Sequence, residues 1–279
     1  MRTRPARIVV AVAAGVVLFG TWIFPVIWTA VTSAKLAKDI FVYPPRIFFL
    51  PTGLNYQQVL GGDQSLLGNL VTSAVIACGA TVLSLAVGIP MAYTFARANF
   101  RGRSVLALYT LFTYLIPRMG IVVPLFVIFR QLDLFGNYLG MIAVYMSFSL
   151  PFAVWLLVPY FEDIPREMED AALIDRAGRL RALWYVILPQ VRGGVSVTAI
   201  FVFINAWNEF VFGLILGSNE VRPVTVEMYN FIGFEQTLWG PLTAGAIVAI
   251  IPVVVLGFGA QRGIVRGLTA GSVKGGSRQ

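Results

Sequence analysis

The sequence contains no histidine, a single cysteine and few charged side chains. Without histidine it lacks the commonest metal ligand and the usual proton shuttle near neutral pH. With Cys78 as the only cysteine, an intrachain disulfide is excluded. The chain also lacks the phosphate-binding loop Gly-x-x-x-x-Gly-Lys-Ser/Thr. We therefore expect no metal, no cofactor bound by this chain and no catalytic residues.

Apolar residues are what the chain has in excess. They make up 58% of it, against 12% charged residues, and the mean hydropathy is +0.80. About 20 apolar residues span the hydrocarbon core of a bilayer, where the backbone must bond within its own helix. The pattern predicts an all-α integral membrane protein, a single domain (1–279) with six spans: 8–31, 69–96, 105–129, 139–161, 194–216 and 241–260.

The first apolar run follows Arg2, Arg4 and Arg7, as a secretory signal peptide would. Signal peptides have an apolar region of only about 7–15 residues, and this run is longer. The small residues in the segment 31–37 resemble a weak cleavage site. A retained membrane anchor is the favoured interpretation.

The distribution of Lys and Arg predicts the orientation, because these residues concentrate in cytoplasmic connections. With the N-terminus inside, fifteen of the 21 lie in the cytoplasm, five outside and one, Arg118, within a span. Both termini and the polar stretch near residue 175 are then cytoplasmic. This bias accounts for the net charge of +8, so no nucleic-acid partner is expected.

The polar stretch between Pro165 and Pro189 interrupts two apolar runs. Pro165 suits the first turn of a helix, and acidic residues follow it at the positive end of the helix dipole. A second helix is predicted by an apolar stripe with helical spacing, formed by Leu180, Leu183, Trp184 and Ile187. Two short helices joined near Gly178 predict a compact projection, and the alternative is a helix pair lying on lipid headgroups.

The same stretch resembles the cytoplasmic EAA loop of the membrane subunits of bacterial ABC importers. The family pattern is Glu-Ala-Ala, three residues, Gly, nine residues and Ile-x-Leu-Pro. Here Asp170-Ala171-Ala172, Arg176 and Val186-Ile187-Leu188-Pro189 stand at these positions. The resemblance implies that the loop, about 162–192, binds a separate ATPase through these coupling residues: Glu169, Asp170, Ala171, Ala172, Asp175, Arg176, Gly178, Leu188 and Pro189.

Arg176 is the main departure from the family pattern. The family glycine at its position marks the break between the two helices, where a positive φ is easy only without a Cβ. Gly178, two residues further on, is the candidate to take over this break.

Three further segments are similar to those of maltose-type carbohydrate importer permeases: Met91–Arg103, Phe203–Phe210 and Gln261–Gly275. The resemblance implies the type I importer permease fold in the bacterial cytoplasmic membrane. It also implies a second related permease, an ATPase dimer that binds ATP and Mg²⁺, and an extracytoplasmic solute-binding protein. The expected function is one half of an alternating-access pathway for a sugar or oligosaccharide.

Arg118 and Glu209 are the two ionisable side chains within the predicted spans. Such residues are costly in lipid and suggest function. One hypothesis is that they pair and gate one conformation; another is that Asn205, Trp207, Asn208 and Glu209 face the pathway. The alternative is that the pair has only a structural role.

Five prolines lie in or at the ends of the predicted spans and are candidate hinges; the alternative is that they are kinks exposed to lipid. They are Pro117, Pro124, Pro151, Pro159 and Pro252.

Other functions remain open at this point. A permease for another solute, such as a glycerol phosphodiester or a polyol, fits the same pattern. An ion-coupled secondary transporter is disfavoured, because few intramembrane acids are available for coupling and a docking loop would have no purpose there.

Overall fold

The computed structural model describes residues 5–61, 65–233 and 236–272. Within these ranges the structure is helical, apart from one isolated β-bridge between Ile232 and Thr237. The end of the C-terminal motif, 273–275, lies outside the described residues. The helices are α1 (Pro5–Ser33), α2 (Ala37–Ile40), α3 (Leu54–Gly61), α4 (Leu67–Arg97), α5 (Arg103–Leu115), α6 (Arg118–Gln131), α7 (Tyr138–Glu162), α8 (Arg166–Ile174), α9 (Arg179–Arg181), a π-helical turn (Ala182–Ile187), α10 (Leu188–Trp207), α11 (Val211–Leu216), α12 (Val224–Tyr229) and α13 (Trp239–Ser272).

Among the described residues, five helices are long and apolar enough to cross a membrane, and six if one bent pair counts as a single span. The predicted all-α membrane fold is confirmed. The five are Gly15–Ser33, Leu67–Arg97, Tyr138–Glu162, Arg179–Trp207 and Trp239–Gly259.

The third span, expected as one helix over 105–129, is broken. Helices α5 and α6 meet at 90° across Ile116 and Pro117, which both have extended backbone conformations. Proline disfavours the α conformation of the residue before it and has no N–H for the helix. Arg118 is therefore the first residue of α6 rather than a residue in the middle of a straight span.

The fifth span also differs from the expected range, 194–216. The helix runs without interruption from Arg179 to Trp207, and a break at 208–210 separates it from α11. The second short helix predicted for the polar loop is thus the beginning of this span. Because Pro189 has no N–H to donate, the turn before it widens into the π-helical turn and the helix continues.

The chain divides into two compact units. One comprises Met1–Gly68 and Glu227–Ile251, and the other comprises Asn69–Val226 and Pro252–Gln279. In the first unit the buried Lys35 ammonium lies 5.1 Å from the centre of the Trp28 ring and 5.2 Å from that of Phe49, a cation–π arrangement.

The second unit holds the polar loop and the intramembrane polar residues. A buried apolar cluster joins the ends of α4 and α7 to the π-helical turn and the start of α10. Close helix approach is possible near Tyr160 because Gly194 has no Cβ, which would lie 2.5 Å from that ring. The cluster consists of Ile89, Ala92, Tyr93, Phe95, Ala96, Val154, Leu157, Phe161, Ile164, Leu183, Ile187 and Val191.

Candidate functional site: the polar loop and an intramembrane arginine–glutamate pair

Helix α8 presents two different faces. It starts after Pro165, and Glu167 and Glu169 lie in its first turn, where the helix dipole favours negative charge. Met168 is half-buried and Ala172 is buried, whereas Asp170, Ala171 and Ile174 are exposed. The helix is therefore attached along one side and free along the other in this chain.

On the attached side, Glu169 contacts α4. The Tyr93 hydroxyl donates a hydrogen bond to Glu169 Oε1, and Arg97 Nε lies 3.5 Å from Glu169 Oε2. Arg97 Nη2 also donates to the carbonyl of Ile164, just before α8 begins. Glu169, predicted as an ATPase-coupling residue, thus faces α4 of its own chain, and Ala172 is buried.

The free side of the loop is apolar as well as charged. Ile174 is 80% exposed and Tyr185 is 79% exposed. The predicted apolar stripe divides between two environments: Leu183 and Ile187 enter the buried cluster, whereas Leu180 and Trp184 remain exposed. Of the other predicted coupling residues, Leu188 is half-buried and four are exposed, namely Asp175, Arg176, Gly178 and Pro189.

The break after α8 occurs at Arg176, not at Gly178. Arg176 has a φ of 59°, in the left-handed region, whereas Gly178 is extended with a φ of −62° and a ψ of 159°. Arg176 N donates to Leu173 O at 3.1 Å, and Ala177 N donates to Ala172 O at 3.0 Å. These two bonds form a Schellman cap, which requires the left-handed residue at this position. The expectation that Gly178 takes over the break is wrong, because cap geometry fixes the position and not the residue type.

Within the membrane-spanning region, Arg118 and Glu209 form a salt bridge through Nη1 and Oε2. Arg118 Nη2 donates to Asn205 Oδ1 at 3.0 Å, and Asn205 Nδ2 lies 3.4 Å from the Tyr114 hydroxyl. The arginine begins α6, where the helix dipole disfavours a cation, and Glu209 offsets that charge. The pairing considered from the sequence is present.

Glu209 also organises the break in the fifth span. Its Oε1 accepts the backbone N–H of Phe212 at 3.1 Å, and its main-chain carbonyl accepts the Thr225 hydroxyl at 2.9 Å. The Glu209 side chain is 5% exposed and that of Arg118 is 33% exposed. One charge of the pair is therefore enclosed, while the other remains accessible.

The other two residues predicted to line the pathway, Trp207 and Asn208, differ in exposure. Trp207 is buried and stacks on Phe203 with ring centres 5.5 Å apart. Asn208 is exposed, and its Nδ2 donates back to Ile204 O in its own helix. The structure brings Arg118, Asn205 and Glu209 together.

Comparison with known proteins identifies the family. Residues 84–270 match the family described as "Binding-protein-dependent transport system inner membrane component". The chain belongs to this family. It is a multi-pass inner-membrane permease of an ABC importer, and the resemblance to such permeases is confirmed.

Relatives of this permease match over almost the whole chain. The trehalose transport system permease protein of Mycobacterium tuberculosis is 36% identical over 92% of this chain and 94% of its own. The sulfoquinovosyl glycerol transport system permease protein of Agrobacterium fabrum is 35% identical over 93% and 91%. The trehalose/maltose transport system permease protein of Thermococcus litoralis is 31% identical over 99% and 100%.

A solved structure shares the fold of this permease. It is the crystal structure of a bacterial ABC transporter involved in the import of the acidic polysaccharide alginate. The match has a TM-score of 0.76 and 24% identity, and it covers 94% of this chain and 98% of that one.

Sequence reasoning missed several residues that contact these sites. Tyr93 and Arg97 are four residues apart on α4, so they share one face, and both lie in the Met91–Arg103 segment used only for the family resemblance. Tyr114 and Phe148 were missed as well. The Arg118 guanidinium lies 5.9 Å from the Phe148 ring centre, and Phe148 lines a largely apolar cavity of about 990 Å³ between α4, α5, α6 and α7 in this permease.

Proposed function

We propose that this permease forms one half of the pathway of a sugar or oligosaccharide importer. The other half would come from a second, related permease subunit, and an extracytoplasmic binding protein would deliver the substrate. Three relatives named for transport of trehalose, trehalose or maltose, and sulfoquinovosyl glycerol support a carbohydrate substrate.

The observation that carries the coupling role is the free side of α8. Asp170, Ala171 and Ile174 project from a helix whose other side is attached to the membrane helices. A short, attached helix with exposed apolar and acidic residues suits insertion into a groove of a partner. The proposed partner is a cytoplasmic ATPase dimer, and the Lys and Arg distribution, which predicts that this loop is cytoplasmic, supports it.

ATP and Mg²⁺ bind to that ATPase in this proposal, and the permease itself catalyses no reaction. The absence of a phosphate-binding loop from the sequence supports this division of labour. Closure of the ATPase dimer would move α8, and with it the membrane helices, between inward-open and outward-open states.

The proposed pathway passes Arg118, Asn205 and Glu209. Guanidinium, amide and carboxylate groups can bind sugar hydroxyls, and Arg118 is accessible beside the Phe148 cavity. The breaks in the third and fifth spans occur at this cluster, where a change in helix angle would open or close the pathway.

Co-purification tests the proposal. A tagged chain, extracted with a mild detergent from the cells that make it, is expected to bring down an ATPase and a second permease. In proteoliposomes with the binding protein, this complex is expected to accumulate labelled sugar only with ATP inside. If neither partner is recovered, or if uptake follows an ion gradient without ATP, the proposal is wrong.

A second experiment defines the substrate class: the affinity of the binding protein is measured for a panel of sugars, polyols and glycerol phosphodiesters.

A further inference from the structure

The attached side of α8 makes a set of polar contacts that the ATPase-coupling role does not use. Glu169 Oε1 accepts a hydrogen bond from the Tyr93 hydroxyl, and Oε2 forms an ion pair with Arg97, whose Nε lies 3.5 Å away and makes no hydrogen bond. The side chains of Arg97 and Glu169 are only 7% and 12% exposed. A partner protein therefore has little access to this carboxylate.

Arg97 holds the coupling helix at two points. Besides its ion pair with Glu169, it donates to the carbonyl of Ile164, which precedes Pro165 at the entrance to α8. One arginine at the end of α4 thus contacts both the entrance and the first turn of α8. Since a guanidinium presents several donors in a fixed plane, both contacts hold the helix in one orientation.

Packing around the pair is tight. The Tyr93 ring contacts Phe161 edge-on, with ring centres 5.9 Å apart, and both belong to the buried cluster at the end of α4 and α7. Met168 packs against the same cluster. Movement of α8 relative to α4 would expose these groups and separate buried charges, which is strongly unfavourable.

We infer that Glu169, Tyr93 and Arg97 form an anchor that makes α8 and the second spanning helix, α4, move as one body. Along the chain α8 is connected only to α7 and α9, whereas the anchor joins Glu169 to Tyr93, 76 positions earlier, and to Arg97 on the same helix. Movement imposed on α8 then reaches α4 directly. These three are positioning residues, and the inference rests on the proposed coupling to an ATPase.

Glu169→Ala in the intact complex tests the anchor. The ATPase is expected to co-purify with the variant as with the natural chain, because the free side of α8 is unchanged. In proteoliposomes, sugar transported per ATP hydrolysed is expected to fall about tenfold or more, the size of a typical coupling between two sites.

Glu162→Ala is the matched control. It also removes a carboxylate from an arginine pair, since Glu162 Oε1 lies 3.3 Å from Arg103 Nη2, but these side chains are 50% and 33% exposed. Its transport per ATP is expected to equal that of the natural chain.

Two further variants keep the test decisive if Glu169→Ala does not fold. Tyr93→Phe removes one hydroxyl and is expected to lower transport per ATP without loss of the ATPase. The exchanged pair Arg97→Glu with Glu169→Arg is expected to recover part of the transport that either change alone removes.

The outcomes separate the two claims. If the natural chain does not bind an ATPase, the proposed function itself fails. If it does, but Glu169→Ala and Tyr93→Phe both transport normally, the anchor alone is wrong. Loss of ATPase binding in these variants would also overturn the anchor, because Glu169 would then be a docking residue.

Discussion

Of the arginine–glutamate pairs that join separate helices of this permease, Arg97–Glu169 and Arg118–Glu209 differ in how well they are enclosed. The side chains of Arg97, at the end of α4, and Glu169, on α8, are only 7% and 12% exposed, whereas Arg118 is 33% exposed beside a buried Glu209. A pair enclosed on both sides cannot bind a ligand and suits a rigid attachment. A pair with an accessible guanidinium retains free donors for a ligand or for a second arrangement.

The backbone is also continuous at the enclosed pair and broken at the accessible pair. Arg97 ends an uninterrupted helix of 31 residues. Arg118 and Glu209 lie at the breaks of the third and fifth spans, after Pro117 and at residues 208–210. The Arg97–Glu169 pair is held by a continuous spanning helix, whereas the Arg118–Glu209 pair joins two broken spans. We therefore expect movement near Arg118 and Glu209, and transmission of movement at Arg97 and Glu169.

The largest expected effect comes from Glu209→Ala. The change leaves Arg118 without its ion-pair partner and Phe212 N–H without its acceptor. Removing one partner of a buried pair typically costs about 3 kcal/mol or more of stability. Thermal unfolding of the purified chain in detergent would measure the loss. A stability equal to that of the natural chain would show that the pair is not maintained in the protein.

Arg118→Lys tests the accessible half of the same pair. Lysine keeps the charge but cannot bind Glu209 and Asn205 through a planar fork. Loss of one hydrogen bond between charged and polar groups costs about 1.5 kcal/mol. The matched control is Arg101→Lys, in the exposed turn before α5, with little expected change. Equal unfolding midpoints for the two variants would contradict this interpretation.

Arg176→Gly is expected to raise the free energy of unfolding by about 1 kcal/mol, because glycine adopts the left-handed conformation of the α8 cap without strain.

Gly178→Ala tests whether the helix break lies at Arg176 or at Gly178, the position expected from the sequence. Gly178 has a negative φ and open space around a Cβ, so alanine is expected to be tolerated. A large destabilisation by Gly178→Ala would instead place the break at Gly178.

The smallest effect is expected for Glu162→Ala, which breaks an exposed pair with Arg103. Exposed pairs contribute about 0–1 kcal/mol. Its unfolding midpoint, compared with that of Glu209→Ala, measures directly how much burial matters. Similar losses in the two variants would contradict the distinction between enclosed and open pairs.

The sequence predicted much of this architecture, because runs of apolar residues have few ways to satisfy a backbone in lipid. It did not predict which proline breaks a span. Pro124, Pro151, Pro159 and Pro252 all lie inside continuous helices, and only Pro117 of the five follows an interruption. Each proline removes one hydrogen bond, and packing with neighbouring helices decides whether the helix continues.

In the coupling loop, the sequence predicted the position of the helix but not the direction in which each side chain points. The motif marks the position of Arg176 as the break, and the cap is found there, but the residue type led to the wrong expectation that Gly178 would replace it. Motif spacing could not show that Glu169 faces inward, because that depends on Tyr93 and Arg97 from a distant part of the chain. A carboxylate in a polar loop has the same appearance in sequence whether it binds a partner or its own helix.

The outward face of α8 can be tested by thiol labelling, since Cys78 is the only cysteine. In a Cys78→Ser background, Ile174→Cys, at a position 80% exposed, is compared with Ala172→Cys, at a position 8% exposed. We predict that a polar maleimide labels position 174 in the isolated chain, that the bound ATPase protects it, and that position 172 is labelled in neither state. Equal labelling of position 174 with and without the ATPase would contradict the proposed docking through α8.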